Sequence, residues 1–223
     1  MSLKVPDYKV FVAGPVQAGK TTFIHTLDPY ATSVERPLKD LYRGEKSTTT
    51  IGFDLGSIIW VRKTEDSVGL VVPKKDFKNE RTEYEGWIAK EIVLRGAPGQ
   101  LHFINVRGTF MRNADGVLFI IDSADPGKIG AAMSILAEVK ITLKDIPIEI
   151  IANKQDLSDA ASPREVAQWI GVEKCFGMSA KDCESCRDAV GTLLLKINAL
   201  YIGTTKNIPP TISNLKISGV EKK

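Results

Sequence analysis

Gly14-Pro15-Val16-Gln17-Ala18-Gly19-Lys20-Thr21 reads G-x-x-x-x-G-K-T, and its neighbours decide how it is understood. The apolar run Tyr8 to Ala13 (YKVFVA) precedes it and reads as a buried strand; Thr21 to Leu27 follows with helical character. A loop of this composition between a strand and a helix is built to hold phosphate. Glycines let successive backbone N–H groups curl around phosphate oxygens, and the helix N-terminus adds its partial positive charge. Lys20 is placed to reach the β- and γ-phosphates, and the Thr21 hydroxyl to ligate Mg²⁺.

Working outward, the chain alternates strands with helices. Phe53 to Val61 and Trp87 to Leu94 read as strands. Asp115 to Asp122 (DGVLFIID) is a near-continuous apolar run, as expected of a central parallel strand buried on both faces. Ile129, Ala132, Met133, Leu136, Val139 and Leu143 recur at helical spacing, and Pro147 to Ala152 is another strand. Ser162-Pro163-Arg164-Glu165 is a capping box with proline at the first helical position, predicting a helix through Ile170. Lys174 to Met178 is a short last strand. Cys186, Ala189, Val190, Leu193, Leu194, Ile197 and Tyr201 line one face of a final helix. The pattern predicts a doubly wound α/β fold. Residues 62–86 form a mixed-charge insertion too long for a hairpin turn, with a small strand expected at Val68 to Val72. From Ile202 onward, Pro209-Pro210 and the loss of helical period predict an extended tail over 202–223.

Bulk properties exclude several classes. The 223 residues are 43% hydrophobic and 26% charged, with a net charge of +3, and basic residues are dispersed. That gives no basis for a nucleic-acid partner. The longest apolar stretch, Val117 to Ile121, cannot span a bilayer. Three cysteines do not make a disulfide framework, and Cys183-x-x-Cys186 has no second pair to complete a zinc site. The termini show neither an acylatable glycine nor a prenylation cysteine, so the expectation is a cytoplasmic chain without an intrinsic membrane anchor.

Four further patches follow the first loop in order. Thr48-Thr49-Thr50-Ile51-Gly52-Phe53 closes a polar stretch and opens a strand; a threonine there can ligate Mg²⁺ and sense the γ-phosphate. Gly96-Ala97-Pro98-Gly99-Gln100 ends a strand, placing the Gly99 N–H to meet the γ-phosphate and Gln100 to orient an attacking water. Asn153-Lys154-Gln155-Asp156 follows a buried strand. A carboxylate there can accept from N1–H and the 2-amino group of guanine. Adenine would leave it desolvated and unpaired, giving discrimination on the order of 10⁴. Ser179-Ala180-Lys181 ends the last strand, with the Ala180 N–H available to guanine O6 and Lys181 beside the base. Each patch alone is an ordinary polar loop; the ordered set is not.

GPVQAGKT, TTIGF, GAPGQ, NKQD and SAK together resemble the Ras-like small GTPases, with TTIGFD most similar to the Arf branch and APGQ to bacterial polarity and motility GTPases. The resemblance spans about Tyr8 to Tyr201. It implies a P-loop NTPase (Ras-like G domain) over residues 1–201, with a mostly parallel six-stranded sheet, helices on both faces, and the insertion between the second and third strands. It implies GTP/GDP with Mg²⁺. Gly14, Gln17, Ala18, Gly19, Lys20, Thr21, Thr22 and Gly99 fall to the phosphates, and Thr21 and Thr50 to the metal. Gln100, Lys20 and Thr50 fall to catalysis, and Asn153, Lys154, Asp156, Ser179, Ala180 and Lys181 to the base.

Two residues depart from that pattern. The family carries D-x-x-G-Q in its second switch, where the Asp holds a Mg²⁺-bound water; here the position is Gly96. Asp54, Asp122 or water alone is left to complete the shell, and weak Mg²⁺ retention is expected. Val16 occupies a position often glycine in the family and crowds any arginine supplied from outside, while Arg36, Arg43 and Lys46 are basic candidates within the chain. The expected function is a switch that binds GTP-Mg and slowly hydrolyses it, changing shape over residues 30–50 and 96–112. Activating, exchange or effector proteins would read those segments. The alternatives are a non-hydrolysing guanine-nucleotide scaffold and, against Asp156, an ATP-dependent enzyme.

Overall fold

The computed structural model describes residues 7–37, 50–64, 67–97, 108 and 111–206. Its eight strands are β1 (Tyr8–Ala13), β2 (Thr32–Pro37), β3 (Thr50–Arg62), β4 (Leu70–Pro73), β5 (Ile88–Gly96), β6 (Gly116–Asp122), β7 (Ile148–Asn153) and β8 (Phe176–Gly177). The helices bounded within the described residues are α1 (Lys20–Leu27), α2 (Lys74–Asn79), α3 (Ile129–Thr142), α4 (Pro163–Ile170) and α5 (Cys183–Lys206). The sheet runs β2-β3-β5-β1-β6-β7-β8, with β4 paired to β3. The β1–β5, β1–β6, β6–β7 and β7–β8 pairings are parallel, and β3 is antiparallel to β2, β4 and β5.

Side-chain alternation along β1 builds two cores. Val10 and Val12 join Phe23, Ile24 and Leu27 of α1 and Leu193, Leu194 and Ile197 of α5 on one face. Phe11 and Ala13 join Ala132, Ile135 and Leu136 of α3 and Val166 and Ile170 of α4 on the other. Every residue of β6 is buried, as its apolar run predicts. Because β1 lies between β5 and β6, consecutive connections diverge at its carboxyl end. A doubly wound sheet opens a ligand crevice at such a point.

All seven predicted strands are present, the small one included, and one more, β2, lies beside it along the same edge. Strand β4 is the predicted small strand, shifted to Leu70–Pro73. Strand β2 falls in the stretch read as polar loop and pairs from Thr32 opposite Leu55 to Pro37 opposite Thr50. The 13 residues of β3 thus hold β2 beside their first half and β4 beside their second. The insertion is packed rather than looped out: Trp60 Nε1–H donates to the Val68 carbonyl at 2.8 Å, and Tyr84 stacks on Phe77 and meets Trp87 edge-on. The predicted capping box opens α4, Ser162 Oγ accepting from the Glu165 N–H and the Glu165 carboxylate from the Ser162 N–H. Helix α5 runs on to Lys206, so the boundary expected after Tyr201 falls inside it.

Candidate functional site

The loop after β1 is held by close approach to its neighbours. Gly14 and Gly19 take φ of +140° and +100°; a Cβ on them would stand 2.1 Å from the Ile120 carbonyl oxygen and 2.2 Å from Asn153 Nδ2. No other residue fits either place. Gln17 is also left-handed, at φ 61°, and its side chain accepts from Lys128 Nζ at 3.0 Å. Lys20 Nζ donates to the Gly14 and Pro15 carbonyls at 3.0 and 2.7 Å, closing the loop around its own ammonium. Thr21 and Thr22 follow in the exposed first turn of α1.

Asn153 joins this loop to the two behind it. Its Nδ2 donates to the Ala18 carbonyl at 2.7 Å, and its Oδ1 accepts from the Ala180 N–H at 2.8 Å. The residue is buried, so both bonds replace water it has lost. The Ala180 N–H, expected at guanine O6, is therefore engaged by Asn153. Thr26 Oγ1 donates to the Ala180 carbonyl at 2.7 Å, so α1 braces the same turn.

Asp156, Ser179 and Lys181 converge at the ends of β7 and β8. The Asp156 carboxylate accepts from Ser179 Oγ at 2.8 Å and Lys181 Nζ at 3.0 Å. Those bonds, Lys181 first, hold its carboxyl below the ordinary 3.8, so it is an acceptor at neutral pH. Lys154, left-handed at φ 70°, extends to buried Asp122 with Nζ 2.6 Å from Oδ2.

Of the two carboxylates proposed to replace the missing switch Asp, the structure separates the roles. Asp122 is neutralised by Lys154 and approached by Lys128 at 3.5 Å. Asp54 stands opposite Gly96 in the β3–β5 register, and Thr21 Oγ1 donates to its Oδ2 at 2.7 Å. A Cβ on Gly96 would lie 3.1 Å from that same oxygen. A carboxylate therefore stands across the strand pair from position 96. A threonine hydroxyl beside a carboxylate, next to a phosphate-type loop, is a hard-oxygen donor set that suits Mg²⁺.

Thr50 opens β3 opposite Pro37, while Thr48, Thr49, Pro98, Gly99, Gln100, Arg43 and Lys46 lie outside the described residues. Sequence reasoning missed Lys128, His25 and Ser33. His25 had a signal, lying one turn after Thr21 on the same face of α1; Ser33 had none. His25 Nε2 lies 2.7 Å from Ser33 Oγ, which donates to Asp54 Oδ1 at 2.5 Å.

A doubly wound sheet with a phosphate loop at its switch point and three loops converging there defines a Ras-like P-loop G domain. The profile described as the ADP-ribosylation factor family matches residues 57–190, more than half of the chain. The chain belongs to the ADP-ribosylation factor family. It is 36% identical over 76 residues to ADP-ribosylation factor-like protein 13B of Chlamydomonas reinhardtii, covering 32% of this chain and 14% of that protein. It is 30% identical over 107 residues to ADP-ribosylation factor-like protein 8c of Arabidopsis thaliana, covering 44% and 58%. With Small COPII coat GTPase SAR1 of Giardia intestinalis the identity is 33% over 66 residues, covering 29% and 35%. The matches thus span 14% to 58% of these relatives' lengths. Among the described residues no helix is long and apolar enough to cross a membrane.

Proposed function

We propose that this protein is a guanine-nucleotide switch that binds GTP with Mg²⁺ and hydrolyses it slowly to GDP and phosphate. The observation that carries the reading is the junction at Asn153, which ties the phosphate loop at Ala18 to the Ala180 turn. One residue thereby links the phosphate-binding and base-binding loops, as a nucleotide lying across both requires. The Asp156 carboxylate takes the guanine N1–H and 2-amino group, and Lys154 and Lys181 lie beside the base.

Thr21 and Thr50 are the residues that would ligate Mg²⁺, and the Asp54 carboxylate beside Thr21 would support them. Mg²⁺ held there would supply positive charge against the phosphates. Water attacks the γ-phosphorus in line, the bond to the β–γ bridging oxygen breaks, and GDP leaves with that electron pair. Lys20 and the N–H groups of Gln17, Ala18, Gly19 and Gly99 stabilise charge on the transferring group, and Gln100 orients the water. Residues 30–50 and 96–112 are the surface that activating, exchange or effector proteins would read. The G domain is assigned to residues 1–206, through the end of α5, and a cytoplasmic location is part of the same reading. No specific observation favours a non-hydrolysing scaffold.

The test is single-turnover conversion of GTP preloaded on the purified protein, with Gln100→Leu alongside and ATP as binding competitor. Slow conversion abolished in the variant, with ATP failing to compete, is the expected result. GTP that persists in both proteins, even with cellular extract added, would overturn hydrolysis.

A further inference from the structure

The Asp54 carboxylate is approached from two elements at once. Thr21, on α1, donates to Oδ2 at 2.7 Å; Ser33, on the edge strand β2, donates to Oδ1 at 2.5 Å. A carboxylate only accepts, so the single Ser33 proton is committed to Asp54. The 2.7 Å contact between Ser33 Oγ and His25 Nε2 must then run the other way, with His25 donating to the serine oxygen. Thr21 and His25 lie one turn apart on α1. The helix therefore reaches Asp54 twice, directly through Thr21 and through Ser33 by way of His25. Each carboxylate oxygen has a second lone pair, so neither bond prevents Asp54 from accepting from another donor.

We propose that Ser33, backed by His25, is a positioning residue for Asp54, and through it ties strand β2 to occupancy of the metal site. This rests on the proposed role of Asp54 toward Mg²⁺. Among the described residues strand β2 is an edge strand that pairs with β3 alone, and Ser33 lies directly opposite Asp54 in that pairing. Whatever fixes the carboxylate therefore also holds the strand that leads into residues 38–49. By reciprocity, holding the strand raises affinity for the metal. The signal passes through one charge-assisted hydrogen bond between two cross-strand neighbours.

The experiment follows release of a fluorescent GDP analogue from the full chain across buffered free Mg²⁺, with Ser33→Ala, Ser33→Thr and Asp54→Asn beside the wild type. Amide exchange of peptides covering 32–37 is measured with and without Mg²⁺. The expected result is a Mg²⁺ midpoint raised about tenfold in Ser33→Ala and largely recovered in Ser33→Thr, the size usual for outer-shell partners. Exchange over 32–37 slows with Mg²⁺ in the wild type and becomes independent of Mg²⁺ in Ser33→Ala. A midpoint moved by Asp54→Asn but not by Ser33→Ala overturns the role of Ser33 and leaves the metal reading standing. No effect of either, or GDP release indifferent to Mg²⁺, overturns the metal reading itself. If Ser33→Ala does not fold, His25→Ala removes only the donor behind the serine, and a midpoint left unchanged there counts against the proposal.

Discussion

Thr21 Oγ1 donates to Asp54 Oδ2 at 2.7 Å, joining the last residue of the phosphate loop to a carboxylate on a strand thirty-three positions away. Gly96, where the family carries its aspartate, stands opposite Asp54 in the sheet. The Asp54 carboxylate lies beside the position where that aspartate would stand, with Oδ2 3.1 Å from where a Gly96 Cβ would be. Asp54→Asn is expected to weaken Mg²⁺ retention by about 10–100-fold, whereas Asp122→Ala leaves it unchanged, because Asp122 is spent on Lys154. Nucleotide release against buffered Mg²⁺ distinguishes the two.

Gly96 sits tightly between Ile24 and Asp54. An added Cβ would meet Ile24 Cδ1 at 2.9 Å and Asp54 Oδ2 at 3.1 Å. Gly96→Ala is expected to destabilise the fold by about 1–3 kcal/mol, as overpacking does. Gly96→Asp should be worse alone, bringing two carboxylates together, and should recover when combined with Asp54→Ala. Urea denaturation of the three variants reports it; a neutral Gly96→Asp would contradict the packing argument.

Asn153→Ala removes both hydrogen bonds of a buried bridge, leaving the Ala18 carbonyl and the Ala180 N–H unsatisfied. Each unpaired buried group costs about 1–3 kcal/mol. Faster GDP release and a lower melting temperature should appear together, since the same residue holds both loops. A change in only one would show that the loops are positioned independently.

Asp156 titrates below 3.8 because Lys181, then Ser179, bonds its charged form. A carboxyl depressed in the folded state contributes stability above its unfolded pKa and loses it as pH falls through the lower folded value. Lys181→Ala should move the Asp156 titration upward, toward the ordinary value, seen directly by carboxyl carbon NMR. An unchanged midpoint would mean that Ser179 alone suffices.

Burial, with Cys183 and Asp182 adding, pushes the Cys186 thiol up to about 12. Its sulfur lies 3.6 Å from the Ser179 and Ala180 carbonyls, so it is engaged in supporting the base-side loop. At pH 8 a thiol reagent should leave Cys186 unmodified in the native protein and label it after denaturation. Rapid native labelling would mean that the start of α5 opens.

Legible from the residues alone are the alternation of strands and helices, the phosphate loop, the capped α4 and the ordered motifs at strand ends. These are local properties: apolar periodicity, a capping residue, or a glycine in a tight turn is written within a few neighbours. The tertiary structure decided what depends on register between distant segments. Strand β2 was illegible because its pairing comes from the edge of β3 rather than from its own alternation. Neither Asp54 nor Asp122 is distinguishable by spacing; only the β3–β5 register sets Asp54 against Gly96 and beside Thr21, and only the β6–β7 pairing brings Lys154 to Asp122. The second role of Asn153 and the convergence of Ser33 and His25 on Asp54 arise the same way. A side chain's hydrogen-bond partners are fixed by the packing of elements that the chain places far apart.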